Sequence, residues 1–80
     1  MKENTENVVK TIIEEIIPGL TEIDIHSELN DIPGWSSITY VLFVSKIEEF
    51  YSIKLTSDDL FDIETVDDVI VTISKKINDN

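Results

Sequence analysis

The stretch Pro33-Gly34-Trp35-Ser36-Ser37-Ile38-Thr39-Tyr40 decides how this chain folds. Pro33-Gly34 is a breaker pair that ends whatever precedes it. From Tyr40 a helical period begins, with Tyr40, Phe43, Val44, Ile47, Phe50 and Tyr51 at i, i+3, i+4, i+7, i+10 and i+11. A helix over 37–51 is therefore expected, with that stripe as its core face and the serine pair at its start. A hydroxyl there has two uses. It caps free backbone N–H groups, or it carries a phosphate whose negative charge the helix dipole favours. Ser36 reads as the better N-cap, and Ser37 as a first-turn residue facing solvent.

Upstream, Val8, Val9, Ile12, Ile13, Ile16 and Ile17 form one apolar stripe, so a helix is expected over residues 5–17, stopped by Pro18-Gly19. A long connection over 20–36 follows. Leu20, Ile23, Ile25, Leu29 and Ile32 are scattered through it as the anchors that a loop of this length needs. Ile23-Asp24-Ile25 alternates like a strand, but no partner strand is evident. Downstream, Ile53-Lys54-Leu55 reads as a short extended link. Residues 58–61 suit one helical turn capped by Thr56 or Ser57. Thr65 begins a last helix whose buried face is Val66, Val69, Ile70, Ile73 and Ile77. Asp67 and Asp68 lie in its first turn and Lys75 and Lys76 in its last, as the dipole prefers. Its many Val, Ile and Thr residues favour strands locally, yet the spacing is helical. The fold class expected is all-α: three main helices, a short third one, and a long loop between the first two.

The chain has 80 residues, 41% of them apolar, enough for one small core. No stretch approaches the roughly 20 apolar residues of a membrane span. The start, Met1-Lys2-Glu3-Asn4-Thr5-Glu6, is polar and acidic and does not suit a signal peptide. With no cysteine, disulfides and thiolate metal sites are excluded. A cytoplasmic monomer is the expectation. Seventeen acidic and 6 basic residues give a net charge of −11. Nucleic acids and anionic membranes repel such a chain, whereas cationic protein surfaces attract it in a salt-dependent way.

Catalytic groups are sparse. His26 is the single histidine and lies in the long loop, where a lone imidazole is usually incidental. A Ser–His pair using Ser37 would lack a Gly-x-Ser-x-Gly turn. Asp58, Asp59, Asp62, Glu64, Asp67 and Asp68 lack the glycine-centred spacing of a calcium loop and read as a solvated acidic face. The chain is not expected to be an enzyme.

Gly34-Trp35-Ser36-Ser37-Ile38-Thr39-Tyr40-Val41, running on through Ile47-Glu48-Glu49-Phe50-Tyr51 to Leu55, resembles the central segment of acyl carrier proteins. In that family a Gly-x-Asp-Ser-Leu motif opens the second helix, which closes on an acidic run and an aromatic residue. Thr65-Val66-Asp67-Asp68-Val69-Ile70 resembles the family's start to the final helix, and the order of elements agrees. The resemblance spans about residues 8–77. It implies that Ser37 stands where the family's serine is esterified with 4′-phosphopantetheine from coenzyme A, with Ile38 at the motif leucine. Ser36 as the site, or no attachment at all, are the alternatives. Ser36 also replaces the family's usual aspartate.

The implied role is that of a discrete shuttle, carrying acyl groups as thioesters in fatty acid, polyketide or other acyl-transfer pathways. Its partners would be a phosphopantetheinyl transferase, an acyl-loading enzyme and an acyltransferase or synthase. Two alternatives stand beside it: a peptidyl or aminoacyl carrier, and a carrier-like interaction domain with no arm. The family's second helix commonly shows partners an acidic face. Here Thr39, Leu42, Ser45 and Lys46 are expected on or near that face, with only Glu48 and Glu49 acidic. Partner contacts are therefore expected at Trp35, Ser36, Ile38, Val41 and Leu42, joined by Asp58 and Asp59 from the acidic segment. Trp35 has a second reading, as a ring packing the long loop onto the bundle, and Val41 as a core residue.

Overall fold

A computed structural model of the chain describes residues 4–20 and 22–78. Residues 1–3 of the polar N-terminal stretch lie outside them. Four α-helices follow in order: α1 (Thr5–Ile16), α2 (Ser37–Tyr51), α3 (Ser57–Phe61) and α4 (Val66–Asn78), with a 3-10 turn at Leu29–Asp31 inside the first loop. α1 packs against both α2 and α4.

Each helix starts where a side chain can accept its orphan N–H groups. The Asn4 side chain accepts from Asn7 N at α1. Thr56 caps α3 in a reciprocal box with Asp59, so Thr56 rather than Ser57 takes that role. Thr65 and Asp68 exchange the same pair of bonds at α4, with Asp68 N donating to Thr65 Oγ1 (3.1 Å) and Thr65 N to Asp68 Oδ2 (3.0 Å). The β-branched stretch of α4 is helical because its apolar spacing buries Val66, Val69 and Ile73 together, and tertiary packing outweighs local propensity. Ile70 and Ile77 pack at the edge of that face.

The core is Val8, Val9, Ile12 and Ile13 of α1, Phe43 and Ile47 of α2, Val66, Val69 and Ile73 of α4, with Leu29, Ile32 and Leu55 from the connections. The first loop is laced to the start of α4. Leu29 N donates to Glu64 O, Val66 N to Ser27 O and Asp67 N to Ile25 O, around an isolated antiparallel bridge between Glu28 and Thr65. The strand-like alternation at 23–25 forms no strand among the described residues; only Ile25 O joins this lacing, and the bridge itself lies further on, at Glu28.

Two expectations for α2 are corrected. Phe50 has the right angular position for the core stripe but is 53% exposed. It sits at the rim of an open groove beside Asn7, Val8 and Thr11 of α1, whose side chains line the groove without closing over the ring. Thr39, expected on or near the outward face, is buried. It lies four residues before Phe43, on the inward side, and its hydroxyl is satisfied locally, so the core accepts it.

Candidate functional site

The approach to α2 is a tight turn. Trp35 N donates to Ile32 O (3.0 Å) across Pro33-Gly34. Proline pre-sets its own φ, and Gly34 takes φ 88°, the left-handed value that this turn requires of its third residue. A Cβ on Gly34 would also come within 3.1 Å of Ile17 Cγ2.

Ser36 follows in extended conformation and is the N-cap of α2. Its Oγ accepts from Thr39 N (3.2 Å) and lies 3.0 Å from Thr39 Oγ1. Thr39 Oγ1 in turn donates to Gly34 O (3.2 Å). A carbonyl only accepts, so Thr39 spends its one hydroxyl proton there, and Ser36 must be the donor between the two hydroxyls. Ser36 therefore has both its proton and a lone pair committed. Ser37 is exposed, and its hydroxyl enters none of these bonds. It is the first residue of α2, beside amide N–H groups that have no carbonyl within the helix, at the positive end of the dipole.

Ser36 and Ser37 stand at the edge of an open cleft of about 570 Å³, whose walls include Trp35, Tyr40, Leu29 and Ile63. Trp35 packs edge-to-face on Phe43 (centroids 5.5 Å apart) and on Tyr40 (6.3 Å). The ring thus fastens the first loop to α2, as its packing reading expects, and also walls the cleft. Burial pushes the Tyr40 phenol above its usual range. His26 is absent from the cleft lining. It is exposed, and its backbone N–H donates to Asp24 Oδ1 (2.9 Å).

The remaining expected contact residues separate. Ile38, Val41 and Leu42 are all exposed, and Val41 is not a core residue. Asp58 is exposed as well. Asp59 is half-exposed and turned toward α4: its Oδ2 accepts from Thr56 N (2.9 Å) and Thr56 Oγ1 (3.0 Å) and pairs with Lys76 Nζ (2.8 Å). Lys76 first, and the Thr56 N–H second, draw its carboxyl down to about 2. The Thr65 and Glu64 N–H groups likewise lower Asp68. Glu48, expected as part of an acidic outer face, is spent on the link to α3, accepting from Leu55 N (2.7 Å). Among the described residues, no three His, Asp or Glu side chains are arranged to hold a metal ion.

Sequence reasoning missed Thr39 as the inner partner of the cap and Glu28, Asn30, Ile63 and Glu64 as cleft residues. The signal for Thr39 was its i−4 spacing from Phe43. The cleft residues carried none, because they reach Ser37 only through the loop-to-α4 pairing.

The sequence matches the family described as "Phosphopantetheine attachment site" over residues 7–73. No curated protein matches the chain significantly. Among solved structures, the solution structure of holo acyl carrier protein from Geobacter metallireducens superposes with a TM-score of 0.83, at 21% identity, over 94% of this chain and 87% of that one. At that identity the likeness is one of fold.

Proposed function

Because this chain belongs to the phosphopantetheine attachment site family, we propose that it is an acyl carrier protein whose arm is esterified to Ser37. The observation that carries the choice of residue is the division between the two hydroxyls. Both serines are exposed at the edge of the cleft, but the Ser36 hydroxyl is consumed by the cap, whereas the Ser37 hydroxyl enters none of its bonds.

The residues present suit the group. Ser37 would hold it, and the N-terminus of α2 favours the negative charge of a phosphodiester at that atom. When bound, the group supplies a thiol that holds an acyl load as a thioester. The chain's own part is to fix the attachment point: the Pro33-Gly34 turn orients the backbone, the Ser36–Thr39 pair locks the first turn, and Trp35 keeps one wall of the cleft rigid. Among the described residues no helix is long and apolar enough to cross a membrane, and the protein is read as a cytoplasmic monomer. It would serve a phosphopantetheinyl transferase, an acyl-loading enzyme and a downstream acyltransferase or synthase. Asp58 and the first-loop acids remain exposed and would attract cationic surfaces over distance.

Intact mass after incubation with coenzyme A and a phosphopantetheinyl transferase tests this reading. The native chain and Ser36→Ala should gain the arm, and Ser37→Ala should not. Unchanged loading of Ser37→Ala would move the site, and no loading of any form would leave a carrier-like interaction domain.

A further inference from the structure

We infer that Thr39 is a positioning residue for attachment at Ser37. Its hydroxyl proton, given to Gly34 O, ties the turn before α2 to the first turn of the helix, and a neutral Ser36 leaves that proton free for the tie. The inference rests on Ser37 as the attachment point, since only then must residues 34–37 be held still for a reaction.

The first observation is what stands at the position. Among the described residues Thr39 is the only buried polar side chain, 9% exposed. A valine has nearly the same shape and would bring no hydroxyl to satisfy, so packing alone does not account for the oxygen. Its two partners do: Gly34 O at 3.2 Å and Ser36 Oγ at 3.0 Å.

The second is what the bonds span. An N-cap ties the residue before a helix to the third residue inside it, and Ser36 does this by accepting from Thr39 N (3.2 Å). The Thr39–Gly34 bond reaches further back, into the turn closed by Trp35 N and Ile32 O (3.0 Å). Ser37 lies inside the span of both bonds. Its own side chain and that of Ile38 are exposed and give this turn no cover. A first turn without cover frays, so the two ties set where the Ser37 Oγ stands.

The third is the direction of the protons. Thr39 gives its one proton to Gly34 O, and Ser36 therefore donates to Thr39. A carboxylate at position 36 has no proton and a second acceptor oxygen, which would draw the Thr39 proton away from Gly34. Gly34 is exposed, so its carbonyl would turn to water. The cap would survive and the tie would not. Ser36 and Thr39 are thus a matched pair, and an aspartate before Ser37 works against attachment in this chain.

Attachment from coenzyme A joins Ser37 Oγ to phosphorus, breaks the pyrophosphate P–O bond and releases adenosine 3′,5′-bisphosphate, while the Ser37 proton passes to a base of the transferase. A misplacement of about 1 Å costs such a step on the order of a hundredfold, and loss of one of two ties costs less.

The experiment uses the full-length apo protein, coenzyme A and a phosphopantetheinyl transferase that accepts many carriers. Thr39→Val and Ser36→Asp should each lower kcat about tenfold, with KM for Thr39→Val within about twofold of native. The double variant should be no slower than the slower single one, because both changes break the same bond. Thr39→Ser keeps the hydroxyl and should keep kcat within about twofold. Thr39→Ser and Thr39→Val should both melt somewhat below native, one for a lost methyl and the other for a lost hydrogen bond, so stability does not explain the difference in kcat. Backbone NMR relaxation of the apo protein should show order parameters at Ser37 and Ile38 falling from about 0.85 toward about 0.6 in Thr39→Val and Ser36→Asp, but not in Thr39→Ser. A native kcat or unchanged order parameters in Thr39→Val overturn the proposal. So do an equal loss of kcat in Thr39→Ser, a raised kcat in Ser36→Asp, a change confined to KM, or single effects that multiply in the double variant. Loading that survives Ser37→Ala refutes the attachment point instead, and a native chain that takes no arm refutes both.

Discussion

At the scale of single residues, Ser36, Ser37 and Thr39 divide three hydroxyls among three tasks within one turn. Thr39 satisfies Gly34 O, Ser36 caps the helix and Ser37 is left to solvent. Where acyl carrier proteins usually have an aspartate before the serine, this chain has a hydroxyl that also donates. A carboxylate would accept from Thr39 N equally well, but it could not donate to Thr39 Oγ1 and would compete with Gly34 O for the Thr39 hydroxyl proton. The pairing of Ser36 with Thr39 is thus a local solution to the same capping requirement, without a charge. Ser36→Ala removes the accepted bond and the donated one. It should lower stability by about 1–2 kcal/mol, a fall of roughly 5–10 °C in melting temperature by calorimetry, while Ser37→Ala stays within about 0.5 kcal/mol.

At the scale of elements, α1 and α4 were legible because each has one apolar stripe and polar residues elsewhere, so spacing alone identified the buried face. The limits of α2 were legible too, since Pro33-Gly34 and the serine cap mark its start. Its outer face was not, because apolar residues all round a helix do not say which of them a neighbour covers. α3 is a different case. It is five residues long, contains no fully buried residue, and is held by its capping box and by the Asp59–Lys76 pair. Asp59 has its pKa lowered to about 2 in the folded chain. Its contribution is therefore complete above the ordinary carboxylate value and is lost as pH falls through about 2. Amide hydrogen exchange should show α3 opening relative to α1 between about pH 4 and pH 2. Asp59→Asn should make α3 open already at neutral pH and remove that dependence, whereas an α3 equally protected in both proteins would show that Leu60 and Ile63 packing holds it instead.

At the scale of the whole molecule, a net charge of −11 is held within principal extents of 34 × 29 × 21 Å. Like charges are thus a few Debye lengths apart at most at ordinary ionic strength, and self-repulsion opposes the fold. Raising salt from about 0.01 to 0.5 M at pH 7 should stabilise the protein by about 1 kcal/mol, seen as a rise of roughly 4–8 °C in melting temperature. A flat salt dependence would mean that the acids are already balanced by their N–H and lysine partners. The sequence by itself determined the helices and their order, because period and breakers act over a few neighbours in the chain, while it left the cap of α3 open between Thr56 and Ser57 and did not single out Asn4 for α1. It also picked Ser36 over Ser37 as the cap, since that choice depends on one turn. Only the tertiary structure decided that Phe50 is left at a rim, that Asp59 crosses to Lys76, and that the first loop pairs with the start of α4 to build a cleft beside Ser37. Each of those depends on which distant segment arrives opposite a side chain, and that is set by packing rather than by spacing.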